Sequence, residues 1–161
     1  MLPEFLDLIH REHAELEQHL ALLTLPSTES GQLRASLDAV VLGLTAHAEA
    51  ELIALQPFCC VTPLQTLIAE IDAEHLAQEG ALSALICAPL GTPCSRERAE
   101  TLSELVHQHA VKEERYLPAA IRMHAGPEAY AMLAGTYATE RLRQLAMLHT
   151  DGENEELRSD L

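Results

Sequence analysis

The sequence predicts an all-α protein: an up-down-up-down four-helix bundle with an additional C-terminal helix. Three observations predict it. Hydrophobic residues make up 48% of the 161, yet aromatics are only 3% and Trp is absent. A core must then be built from Leu, Ala, Ile and Val, while the β-branched and aromatic residues that suit pleated sheets are scarce. Apolar residues also recur at steps of three and four along each long segment, the period of a helix with one buried face. Finally, the segments are joined by short turn clusters, which makes sequential helices antiparallel neighbours.

The first segment, 3–24, carries the stripe Leu2, Leu6, Ile9, His13, Leu16, Leu20, Leu23. The turn cluster LPSTESG ends it. The second, 31–56, reads Leu33, Leu37, Val40, Leu44, His47, Glu51, Leu55. Breakers from Pro57 to Pro63 follow. The third, 64–87, reads Leu64, Ile68, Ile71, His75, Glu79, Leu82, Ile86. After APLGTPCS, with Ser95 as the expected N-cap, the fourth, 96–122, reads Leu102, Val106, His109, Glu113, Leu117. HAGP separates it from the shorter fifth segment, 127–148, which Pro127 and Glu128 open in the usual way. The implied division is a bundle over 1–122, a packed helix over 123–150 and an acidic, mobile tail over 151–161.

Charge and cysteine usage exclude several classes. The net charge of −15 argues against nucleic acid and against anionic membranes. The longest weakly polar stretch, Gly80 to Gly91, falls short of the roughly 20 residues a bilayer requires. The first residues carry acids and no basic run, unlike a signal peptide, so the cytoplasm is the expected setting. The four cysteines form no Cys-x-x-Cys. Cys59 and Cys60 stand at the far end of the third helix from Cys87, so only Cys87 with Cys94 is open to pairing. Reduced thiols are expected.

Function is read from the polar residues that interrupt the apolar stripes. Each of the first four helices places a histidine on its core face: His13, His47, His75 and His109. Three follow it with a glutamate one turn later on the same face, Glu51, Glu79 and Glu113. In an antiparallel arrangement these groups fall in about one layer. A lone core histidine is usually a hydrogen-bonded structural residue. Several imidazoles and carboxylates in one apolar layer, with no Lys or Arg on the seams beside them, need a cation instead, because an unpaired buried carboxylate costs several kcal/mol. Imidazole and carboxylate without thiolate suit iron, manganese or zinc. Six ligands exceed what one tetrahedral zinc uses. Two ions, each taking two histidines and sharing Glu51 and Glu113, account for the count and leave positions open for an oxo bridge, water or a diatomic ligand. Iron is the natural occupant, with manganese or zinc as possible substitutes.

At these residues the sequence resembles the hemerythrin-like family of HHE cation-binding domains. REHAEL around His13, HAEAE from His47 to Glu51, DAEHLA around His75 and HAVKE from His109 to Glu113 carry the resemblance, in that order and over about residues 1 to 120. Pro57 and Pro118, soon after the two His-x-x-x-Glu motifs, add to it. The resemblance implies a four-helix bundle with a non-haem di-iron centre. It also implies roles from dioxygen carriage and gas or redox sensing to iron handling and repair of nitrosated iron centres. Two departures stand out. Oxygen carriers of the family have His-x-x-x-His on the third helix, where this chain has His75 and Glu79. They also close the site with a carboxylate five residues after the last histidine, the place of Glu114, for which Glu113 competes. Both departures count against simple reversible oxygen carriage.

Three residues stay open as additional ligands: Glu79, Glu114 and His10. Glu79 is a seventh ligand, a proton donor near bound oxygen, or a wet seam residue. His10 stands one turn before His13 and beside the stripe. His107 points away, and His19, His124 and His149 read as surface residues. Tyr116 reads as core packing, with a hydrogen bond to a ligand as the alternative. The expected function is a di-iron protein that binds dioxygen or nitric oxide in a sensing or iron and redox-handling role. As the chain shows no signalling module, a sensor would act through a separate, unidentified protein partner. The alternatives are a di-iron enzyme, for peroxide or nitric oxide removal or iron-centre repair, and iron storage or delivery. No nucleophile–base triad, P-loop or dinucleotide fingerprint competes with the metal site.

Overall fold

The structure, a computed structural model, describes residues 4–159, with side chains described over 4–148. It is all-helical. Its helices are α1 (Phe5–Thr24), α2 (Ser30–Leu55), α3 (Thr62–Ile86), α4 (Pro93–His124) and α5 (Pro127–Ser159), with a 3-10 turn at Gln56–Phe58 between α2 and α3. Among the described residues no helix is long and apolar enough to cross a membrane.

The helix boundaries follow local chemistry. α4 begins earlier than its composition suggests. Thr92 is the N-cap, its side chain accepting from Ser95 N at 3.2 Å, and Pro93 takes the first helical position, where a missing N–H costs nothing. Ser95, the expected cap, therefore sits inside the helix, buried, with its hydroxyl donating back to the Thr92 carbonyl. At the other end, Gly126 has φ +90°, a left-handed conformation that ends α4 and redirects the chain into α5. Pro118 lies within α4. It removes one rung of the helical ladder, the bond to the carbonyl of Glu114. α5 continues well past the expected end, to Ser159. The mobility expected of 151–161 concerns residues outside those whose side chains are described, as does the side chain of His149.

The stripes of α1, α2 and α4 are buried as read, from Ile9 to Leu23, Leu33 to Leu55 and Leu102 to Leu117. Leu2 lies outside the described residues, and Phe5 is fully buried where Leu6 is only partly so. The seam of α3 differs. It runs Leu64, Ile68, Ile71, then Gln78, Leu82 and Leu85, with His75 mostly buried and Glu79 and Ile86 exposed. A step of three after His75 replaces the expected step of four, which rotates Glu79 off the core face and Gln78 onto it. Tyr116, expected in the core, is 50% exposed.

α1 packs on α4 and on α2, α3 packs on α4, and α2 packs closely on α5 but only sparsely on α3. α5 is thus part of the core. Tyr130, Leu133, Ala134 and Tyr137 join Phe5, Ile9, Leu117 and Ile121 in one cluster. Phe5 meets Tyr137 edge to face at 5.3 Å between ring centroids. Tyr130 accepts a hydrogen bond from Leu6 N at 3.2 Å, satisfying a donor in the first turn of α1. A second cluster, around Leu20, Val40, Leu82 and Leu102, fills the other end. The polar layer lies between the two.

Candidate metal centre

The six expected residues come from four helices. α1 supplies His13 and α2 supplies His47 and Glu51. α3 supplies His75 and α4 supplies His109 and Glu113. His13, His47, Glu51, His109 and Glu113 are buried, and the side chain of His75 is 10% exposed. The Nε2 atoms turn inward toward the two carboxyls. His13 and His109 each approach Glu113 Oε2 at 3.2 Å. His75 Nε2 lies 3.3 Å from Glu51 Oε2, and His47 Nε2 lies 3.9 Å from both Glu51 and Glu113. His13 Nε2 and His47 Nε2 are 3.4 Å apart.

Two groups of ligand atoms form, each with all members within 4.8 Å of one another: His13, His47, His109 and Glu113, and His47, Glu51, His75 and His109. Together they contain the six residues expected as ligands. The groups share His47 and His109 and hold one carboxylate each.

The donor set fits a cation. Both carboxyl oxygens of Glu51, both of Glu113, and the Nε2 atoms of His75 and His109 are buried without a hydrogen bond. The close imidazole–carboxylate approaches are off the line that a hydrogen bond needs. Leaving so many polar atoms unsatisfied is costly, about 1–3 kcal/mol for each neutral group and more for a charge. A metal ion satisfies them together.

The outward faces of the imidazoles are held. His13 Nδ1 meets Glu114 Oε1 at 2.9 Å. His109 Nδ1 meets Glu74 Oε2 at 3.0 Å. His47 Nδ1 meets the Tyr137 hydroxyl at 2.7 Å, and that hydroxyl donates to Glu12 Oε2 at 2.6 Å. An acceptor at Nδ1 keeps the proton there and turns the Nε2 lone pair toward the centre, the arrangement by which proteins orient metal-binding histidines. The outer carboxylates have cationic partners of their own. Lys112 Nζ donates to Glu74 at 2.8 Å, and Arg141 pairs with Glu12. The fixed positive charge therefore stands outside the ring of histidines, and none of it reaches Glu51 or Glu113.

Protonation follows from this layout. Burial, then the neighbouring Glu113 charge, raises the Glu51 carboxyl well above its ordinary value. Burial would also raise Glu113, but the His109 and His13 imidazoles, each 3.2 Å away, outweigh it and hold that carboxyl low. Burial and the adjacent imidazoles push His75 down to about 2. Burial likewise lowers His47. His13 is raised, because Glu113 and Glu114 overcome its burial. Neutral His47 and His75 are in the form that binds metal.

The three further candidates lie outside both groups. Glu114 spends its carboxylate on His13 Nδ1 and on the exposed His10, at 2.8 Å from His10 Nδ1. It thus braces a ligand from behind. Glu79 is exposed. His107 pairs with Glu17 at the surface. His19, read as a surface residue, is partly buried. Sequence reasoning missed Glu12, Glu74 and Tyr137. A signal for the first two exists: Glu12-His13 and Glu74-His75 are the same dipeptide on α1 and α3. In each, the acid reaches the histidine of the following helix. Comparisons with protein-family models, curated proteins and solved structures return no match.

Proposed function

We propose that this chain is a cytoplasmic, non-haem di-iron protein of the hemerythrin-like type, an up-down-up-down four-helix bundle braced by α5. In this reading it binds dioxygen or nitric oxide in a sensing or iron and redox-handling role. The observation that carries the reading is the pair of overlapping His/Glu groups whose buried carboxylate oxygens make no hydrogen bond. Each group also has a histidine and a carboxylate of its own, His13 with Glu113 and His75 with Glu51, which suits a pair of neighbouring ions better than one.

His13, His47, His75 and His109, together with Glu51 and Glu113, would hold the ions. Two irons there would supply redox-active positions for a diatomic ligand. The protein's own contribution is orientation and exclusion. Glu114, Glu74 and Tyr137 hold three of the imidazoles with Nε2 inward. The two apolar clusters above and below the layer keep bulk water from its ends. Protein made under iron-replete conditions is expected to carry about two irons per chain by elemental analysis, with an optical band that changes reversibly on admitting air. Less than one iron after mild purification overturns the reading. Glu51→Ala is expected to lose metal; full metal retention removes Glu51 from the ligand set.

The enzyme reading is favoured by one feature. A cleft of about 350 Å³ between α2 and α3 has His75 in its lining, and it is far larger than a diatomic ligand requires.

A further inference from the structure

We propose that the cleft between α2 and α3 is a binding site for a small aliphatic amide, held at its carboxamide by Gln78. The cleft exists because α2 packs on α5 and leaves its α3 flank sparsely covered. Its volume of about 350 Å³ is that of a small-molecule site. Leu44, Ala48, Leu76 and Leu82 give it apolar walls. Gln78 is part of the lining and 1% exposed, with both Oε1 and Nε2 buried and without a hydrogen bond among the described residues. An amide side chain in that state offers one acceptor and one donor side by side. The complement is another carboxamide, which returns a donor and an acceptor in the same plane. Glu49, Asp72 and Glu79 supply three carboxyls to the lining, and no Lys or Arg joins them. That set repels a carboxylate of the same shape, so the neutral amide is selected over the acid. His75 stands one turn before Gln78, so the bound head group lies beside the metal centre.

The site belongs to the cleft and acts whether or not iron fills the centre, so its test separates from that of the metal reading. Hexanamide and hexanoate are titrated by calorimetry into iron-loaded and metal-stripped protein, with iron content measured on each sample. Hexanamide is expected to bind both preparations, and hexanoate about tenfold or more weaker. Gln78→Leu is expected to weaken hexanamide about tenfold or more without changing iron content. If that variant fails to fold, Ala48→Phe decides: filling the cleft from α2 is expected to abolish amide binding. Equal affinity for amide and acid overturns the proposal, as does a folded Gln78→Leu or Ala48→Phe variant that binds hexanamide unchanged. So does a dimer that Ala48→Phe dissociates and hexanamide does not, since the cleft would then be filled by a second copy.

Discussion

Tyr137 gives the centre's surroundings one oxygen, and that oxygen settles where His47 keeps its proton. The hydroxyl donates to Glu12 and so accepts from His47 Nδ1. Tyr137→Phe keeps the ring that packs on Phe5 but removes the acceptor. Metal affinity is expected to fall by about 10–100-fold, measured by competition with a chelator; unchanged affinity would show that Glu12 alone suffices. In the metal-free protein the imidazoles make stability depend on pH. His47 and His75 are depressed below their ordinary value of 6.5. Unfolding then takes up two protons below that pH, and stability is lost as the pH falls. Glu51, raised by burial, releases a proton on unfolding and offsets one of the two. His13, raised above its ordinary value, is protonated in both states below about pH 6, so the melting temperature of the stripped protein is expected to drop as the pH falls from about 6 to about 5. His75→Leu should make that drop shallower, and an equally steep profile would contradict the assignment.

Helix ends and helix faces respond to different changes. Thr92→Ala removes the acceptor that satisfies Ser95 N at the start of α4 and is expected to cost about 1 kcal/mol in denaturant unfolding. Phe5→Ala, where α1 meets α5, is expected to cost about 3–5 kcal/mol, because the ring is fully buried against two tyrosines. The difference reflects how far each element's role was legible in the sequence. The faces of α1, α2 and α4 could be read because their leucines recur without ambiguity and the polar members sit on the same steps. On α3 two polar residues, Gln78 and Glu79, compete for one position, and periodicity alone does not rank them. The packing of α5 was not legible, since its apolar face fits more than one groove. With it went Tyr137, whose importance depends on where α5 lies. Glu12 and Glu74 were hidden for a related reason: each acts on a neighbouring helix, which spacing along one helix does not reveal.

Across the molecule a net charge of −15 opposes compaction, and a cation bound in the middle relieves part of that repulsion. Iron at about 100 times its dissociation constant is expected to add about 2.7 kcal/mol of stability. For a chain of this size that is a rise of roughly 5–10 °C in melting temperature, measured by calorimetry with and without metal. A rise no larger in the Glu51→Ala variant than in buffer alone would tie the effect to this centre. The thiols lie apart from all of this. Cys59, Cys60, Cys87 and Cys94 are exposed and unpaired, and among the described residues no ligand group uses sulfur. Cys59 and Cys60 follow the end of α2, whereas Cys87 and Cys94 flank the α3–α4 connection. Nitroxide labels placed on these sulfurs would view the interior from two opposite ends, and a paramagnetic ion inside would shorten their relaxation by amounts that triangulate its position.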